Sequence, residues 1–187
     1  MKKQKLIVGI TGASGSIYGK LLLEKLIGLK DQIDDCGVIF SINALAVWKF
    51  EIGSFNSADI PFKMYDPGDF FAPMASGSAG YDTMIICPCT MGTLGRIASG
   101  VSEDLMTRAA DVMLKEGKKL ILVPREAPFS LIHLNNMKLL TETGAIICPA
   151  SPSFYNKPAS IADLTSAFVD RILVLAGFEL PSFRWGD

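Results

Sequence analysis

Histidine is almost missing from this chain: His133 stands alone among 187 residues. The other soft metal ligands are four cysteines, Cys36, Cys87, Cys89 and Cys148. The triplet Cys87-Pro88-Cys89 is too tight for a zinc knuckle, which spaces its cysteines by about two to four residues. A Cys/His metal centre has little to be built from, and the thiols read as reduced cysteines of a cytoplasmic protein. His133 reads as structural, and the eight methionines as core filler. An excess of one charge is also missing: 18 Lys and Arg face 19 Asp and Glu, for a net charge of -1. Nothing there supplies the basic face a nucleic-acid partner requires. The longest apolar runs, such as Met84–Cys87 and Leu120–Val123, fall far short of the roughly 20 residues that span a bilayer. The basic start (Lys2, Lys3, Lys5) runs into glycines without the apolar stretch and cleavage site of a signal peptide. There is no convincing Ser-His-Asp set. No Asp-rich D-D-x-x-D motif is present either, and Asp34-Asp35 is an isolated pair.

What the chain has is apolar content. Hydrophobic residues make up 49% and charged residues only 20%. That is enough for the core of one domain, with too little charge to cover a small monomer, which points to oligomer interfaces. Short β-rich runs alternate with helix-period segments. Strands are expected at Lys5–Ile10, Gly37–Ser41, Thr83–Cys87 (stopped by Pro88), Lys119–Val123 (stopped by Pro124) and Ala145–Cys148 (stopped by Pro149). Helices are expected at Ser16–Leu29, Ala44–Ile52, Ser102–Glu116 with Ser102 as cap, Leu131–Thr141 and Ile161–Ala176. Continuous apolar strands alternating with helices imply an α/β three-layer sandwich, flavodoxin-like or Rossmann-like, around a parallel sheet. One domain spans residues 1–187, with a tail from about 177 packing on the domain or on a neighbouring subunit.

Ligands of such sheets bind beyond the carboxyl ends of the strands. Four clusters fall just there: Gly12-Ala13-Ser14-Gly15, Ser41, Thr90–Thr93 and Arg125-Glu126. The first lies between a strand and a helix, where glycines admit a phosphate to free N–H groups, although a tight turn without ligand has the same composition. Its spacing is not G-x-G-x-x-G, and Ser41 and Asn43 stand where a dinucleotide's ribose would meet an acid, which excludes NAD. The segment Cys87–Thr93 offers hydroxyls and amides for a flavin or its phosphate, or is an ordinary strand-to-helix loop. Arg108 and Lys115 share a helix face two turns apart. Tyr155 lies in the loop Pro149–Pro158 and Arg171 on the last helix; alone, neither stands out.

In order along the chain, Gly9–Gly19, Ala75–Ser78, Cys87–Cys89, Leu105–Asp111, Leu114–Glu116, Val123–Pro128, Leu131–Met137, Gly144–Ile147, Phe154-Tyr155 and Arg184–Gly186 resemble the UbiX family of flavin prenyltransferases. The resemblance implies a flavodoxin-like domain assembling as a dodecamer, with FMN at subunit interfaces. It implies transfer of the dimethylallyl group of dimethylallyl monophosphate to N5 and C6 of reduced FMN, without metal, and delivery of prenylated FMN to a UbiD-type decarboxylase. Carried over to this sequence, FMN contacts fall on Gly12, Ala13, Ser14, Ser41, Thr90, Met91, Gly92, Thr93 and Arg125. Substrate-phosphate contacts fall on Lys115, Tyr155 and Arg171, with Arg108 nearby. Glu51 and Glu126 match the two acids of the family site, and the expected catalytic set is Glu126, Glu51, Ser14 and Lys115. Without an Asp-rich motif, a diphosphate would not be held through magnesium in the usual way, so Arg, Lys and Tyr would have to hold a simpler phosphate. The sequence departs from the family at Ile42, where a lysine is frequent. Pro149–Pro152 lacks the Asn-containing motif of the related cysteinyl decarboxylases.

Overall fold

The computed structural model describes residues 3–182 and 186. Six strands, β1 (Gln4–Ile10), β2 (Ile33–Phe40), β3 (Lys63–Tyr65), β4 (Thr83–Cys89), β5 (Lys119–Pro124) and β6 (Ile146–Ile147), form one sheet in the order β3-β2-β1-β4-β5-β6. Every neighbouring pair is parallel. Successive strands step outward from β1 in one direction, and from β4 in the other. The crevice between the ends of β1 and β4 is therefore the topological switch point, where open parallel sheets bind ligands.

Alternate strand residues point to opposite faces, so the sheet carries two cores. Leu6, Val8, Ile10, Val38, Ile85 and Ile121 pack under α1 (Ser16–Gly28), α2 (Ala44–Ile52) and α6 (Ile161–Ala176), with Leu22, Trp48 and Ile172 among their partners. Ile7, Ile39, Met84, Ile86 and Leu122 pack under α3 (Met91–Ala98), α4 (Leu105–Lys115) and α5 (Leu131–Glu142), against Leu94, Met106, Ala110 and Leu140. All of these core side chains are less than a tenth exposed, and a substitution such as Ile85→Ala is expected to cost roughly 2–5 kcal/mol.

Several element boundaries differ from the expected ones. Pro88 does not stop β4. It sits where the pairing with β5 shifts register between Ile86 and Cys89, an irregularity that tolerates a residue lacking an N–H. The helix expected from Ser102 begins at Leu105, because Asp104 caps it: its carboxylate accepts from Thr107 N–H at 2.8 Å, while Thr107 Oγ1 accepts from Asp104 N–H at 3.1 Å. Glu103 and Asp104 thus precede the first turn. β2 begins at Ile33, and β6 is shorter than expected. Helix α3 and strand β3 were not expected at all. At the carboxyl end of the chain, Phe178 enters the α1–α6 core, and Gln32 exchanges two hydrogen bonds with the backbone of Glu179, at 2.8 and 2.9 Å. Arg184 and Trp185, part of the resemblance, lie outside the described residues.

Candidate active site

The four clusters leave the carboxyl ends of four adjacent strands, β2, β1, β4 and β5, so one rim of the sheet gathers them. After β1 the chain turns through Gly15, whose φ of 106° lies in the left-handed region. A Cβ there would also sit 3.0 Å from the Tyr18 ring, so glycine is required on both counts. Gly12 is constrained by a neighbouring turn: a Cβ on it would meet Asn43 at 3.1 Å. The β1–α1 and β2–α2 turns touch through it, and Ser41 N–H donates to Ile10 O at 2.9 Å in the same junction.

Sequence reasoning expected a phosphate at the start of α1. The structure places an internal anion there. Glu51, from the end of α2, accepts from Gly15 N–H at 2.9 Å and from Ser16 N–H at 2.7 Å. Burial of this carboxyl pushes its pKa up, but hydrogen bonds from the Ser14 hydroxyl, the Ser16 and Gly15 amides and the Ser16 hydroxyl outweigh that and hold it below the ordinary glutamate range. The helix end that attracts anions already holds one, and an incoming phosphate meets only the amides ahead of Gly15. A pKa lowered by folding contributes stability that is present above the unfolded value, about 4.3 for glutamate, and drains away as pH falls through the lower folded value. Glu51→Gln is accordingly expected to melt below the wild type at pH 7, with the gap closing as the pH falls below about 4; thermal melts across pH check this.

After β4, Thr90 caps α3 by accepting from Thr93 N–H at 3.1 Å, and its hydroxyl lies 2.9 Å from Thr93 Oγ1. No acidic residue occupies the first turn of α3. Met91 is buried with Leu94 in the core, leaving its backbone for the rim, and a Cβ on Gly92 would meet nothing within 4 Å. The segment expected as a loop or flavin contact is thus a capped helix start, and its first amides lack helical partners. Beside it, after β5, Arg125 carries a buried Nε with no hydrogen-bond acceptor. Its stem approaches the Gly15 turn, 3.8 Å from where a Cβ would stand. Glu126 is exposed, and its carboxylate accepts at 3.1 Å from Ala127 N–H.

Not all the expected residues meet at this rim within one chain. Helix α4 runs back to the start of β5, so Lys115 sits at the opposite edge, a strand length or roughly 20 Å from Arg125 and Glu126, and pairs with Glu116 at 2.9 Å. Arg108, higher on α4, donates to Ala75 O at 3.0 Å and pairs with Asp111 at 2.8 Å. Tyr155 belongs to the rim-side loop between β6 and α6. Arg171 lies well down α6, exposed, and near enough to Cys148 that its charge works against the burial that raises that thiol's pKa.

The flavoprotein family model matches residues 1–173. The chain is 44% identical to the flavin prenyltransferase UbiX of Methanocaldococcus jannaschii over 191 residues, covering 97% of this chain and 98% of that one. The chain is a UbiX-type flavoprotein. The UbiX of Pseudomonas aeruginosa is 39% identical over 98% of this chain and 95% of its own length. A crystallised UbiX in complex with FMN and dimethylallyl pyrophosphate superposes with a TM-score of 0.91 at 38% identity, over 100% of this chain and 99% of that one. A dodecameric FMN-dependent UbiX-like decarboxylase from Escherichia coli O157:H7 superposes at 0.89 with 40% identity, over 96% of this chain and 98% of its own. The peptidyl-cysteine decarboxylase EpiD, at 17% identity and a TM-score of 0.61, shares the fold. Within the described residues of this UbiX-type chain, no helix is long and apolar enough to cross a membrane.

Proposed function

We propose that this protein joins the dimethylallyl group of dimethylallyl monophosphate to N5 and C6 of reduced FMN, and that the prenylated FMN serves a UbiD-type decarboxylase. The observation that carries this is the rim: the switch point brings Gly12–Ser14, Ser41, Thr90–Thr93, Arg125 and Glu126 together in a chain that superposes on a relative crystallised with both FMN and an allyl diphosphate. The residues fit the flavin. The orphaned Arg125 Nε needs an acceptor such as a flavin carbonyl or phosphate oxygen. The open space before Gly92 and the start of α3 suits a phosphate that Glu51 keeps away from α1.

When bound, reduced FMN supplies the nucleophilic positions N5 and C6. The protein's part is to hold and neutralise the leaving phosphate and to move protons. Lys115, Arg171 and Tyr155, with Arg108 beside them, bind the allyl phosphate and stabilise the charge that builds as its C–O bond breaks. Glu51, reached through the Ser14 hydroxyl, is the anion placed to receive the proton displaced from N5 as the C–N bond forms. Glu126 would pass a proton on the phosphate side, which the departing phosphate hands to the allyl double bond so that its tertiary carbon can bond to C6, and would take the proton released at C6 as that second bond closes. A water-poor pocket protects the allyl cation from capture.

The location of Lys115 requires that the complete site be shared between copies. A monomer would leave Phe50, Phe71, Leu131, Ile132, Phe154 and Ile161 largely in water, more apolar surface than a soluble monomer ordinarily exposes. We place the chain in a dodecamer like that of its Escherichia coli relative, with neighbours bringing α4 to each rim. Cys36, Cys87 and Cys89 are buried free thiols, with Cys36 and Cys89 pushed up to about 12 by burial, which suits the reducing cytoplasm. Anaerobic incubation with reduced FMN and dimethylallyl monophosphate is expected to yield a flavin heavier than FMN by a five-carbon unit. FMN recovered unmodified from a flavin-loaded protein would leave a flavin carrier as the reading.

A further inference from the structure

Thr11 is the residue at which β1 ends and the rim begins, and it is only 2% exposed. The paired register of β1 and β4 closes at Gly9 and Ile86. Beyond it stands Pro88, which has no N–H to continue a ladder. Thr11 bridges that gap. Its backbone N–H donates to Pro88 O at 3.2 Å, its hydroxyl donates to the same carbonyl at 2.7 Å, and its Oγ1 accepts from Thr90 N–H at 2.9 Å. One hydroxyl thereby uses its donor and an acceptor lone pair at once. Thr11 lies directly before Gly12 in the chain, and both groups its hydroxyl joins belong to the end of β4 and the turn after it, where Thr90 in turn caps α3 through Thr93. Arg96 reaches Thr93 Oγ1 at 3.4 Å and is itself held by Asp104 at 3.2 Å, so the α3 end of the clasp is braced from behind.

We infer that Thr11 is a positioning residue for the flavin: its hydroxyl fixes the separation between the β1–α1 and β4–α3 turns across the switch point, and so sets the distance between the two halves of the flavin seat. This rests on the reading that the flavin lies over both turns. The side-chain hydrogen bonds of Thr11 all run to the end of β4 and the turn after it, so the effect falls on one substrate and spares the other. Valine has threonine's shape but can neither donate nor accept, and it would set a methyl against two polar groups. Alanine removes both side-chain bonds without that conflict, and serine restores them.

The experiment measures the FMN dissociation constant by flavin fluorescence, the KM for each substrate, and the thermal midpoint, for wild type, Thr11→Val, Thr11→Ala and Thr11→Ser. Removing the hydroxyl leaves Pro88 O and Thr90 N–H without their side-chain partner at a buried position, so Thr11→Ala and Thr11→Val are expected to weaken FMN binding by about tenfold. The KM for the allyl phosphate should stay within about twofold of wild type, and Thr11→Ser should recover FMN affinity. If Thr11→Val does not fold, the Ala and Ser pair decides alone. Wild-type protein that loads FMN beside a Thr11→Ala protein of equal FMN affinity would overturn the clasp and leave the proposed function standing. Wild-type protein that takes no FMN would overturn both. An equal rise in both KM values would show general loosening and overturn the positioning role.

Discussion

Glu126→Gln is expected to bind FMN as the wild type does and to form prenylated flavin about a hundred- to ten-thousandfold more slowly, the range in which a positioned acid–base group contributes. The argument is geometric. Glu126 follows β5 directly, its carboxylate is exposed, and the hydrogen bond it makes is to the neighbouring Ala127 amide, so the substitution removes no packing and strands no buried partner. A structural effect on the rim should therefore be small, below about 0.5 kcal/mol for such a surface change. Arg125, the adjacent residue with the orphaned Nε and the proposed flavin contact, is left unchanged. The measurement is single-turnover product formation with pre-bound reduced FMN, alongside an FMN titration. Wild-type turnover in the variant would remove Glu126 from the chemistry. A parallel loss of FMN affinity would make it a binding residue instead.

The rim was legible because its signals are local. A glycine turn after a strand, a charged pair after Pro124 and a threonine pair after Cys89 each announce a strand end, and parallel topology sends them to one edge. Helices α2 and α6 were legible in full for a similar reason: apolar spacing runs their whole length, and Gly53 and Gly177 close them. What was hidden depends on partners distant in sequence or on competing caps. Asp104 outcompetes Ser102 because only Asp104 has a Thr three residues on to complete a reciprocal cap. Strand β3 holds three residues against the edge of β2, too few for a period to register. Helix α3 is short and begins with Gly92 and Thr93 inside it, residues that read as loop. The carboxylate of Glu51 reaches Ser16 across 35 positions, so no spacing rule could show that the anion seat of α1 is filled from within. Nor could spacing show that Lys115 lies away from the charged residues it was expected to join.

That last separation makes the strongest expected effect a gain. Lys115→Ala and Glu126→Gln should each abolish most turnover as uniform oligomers, Lys115→Ala because a phosphate then leaves without its cation. Lys115 lies a strand length from Glu126 in its own chain and is tethered there by Glu116 on the turn into β5. A lysine side chain cannot span that distance, so under the proposed function a complete site draws its Lys115 from one copy and its Glu126 from another. In a closed symmetric assembly the two donors are independent when subunits mix at random. Co-expressing the two variants in equal amounts should then give about a quarter of the sites both intact groups, restoring roughly a quarter of wild-type turnover from two nearly inactive parents. The measurement is prenylated-FMN formation by purified mixed oligomers, carrying different affinity tags on the two variants so that both are present. If Lys115 and Glu126 of one chain served the same site, every site would lack one of them and mixing would restore nothing. Recovery therefore tests the shared site directly, with the parent proteins as internal controls for folding and FMN loading.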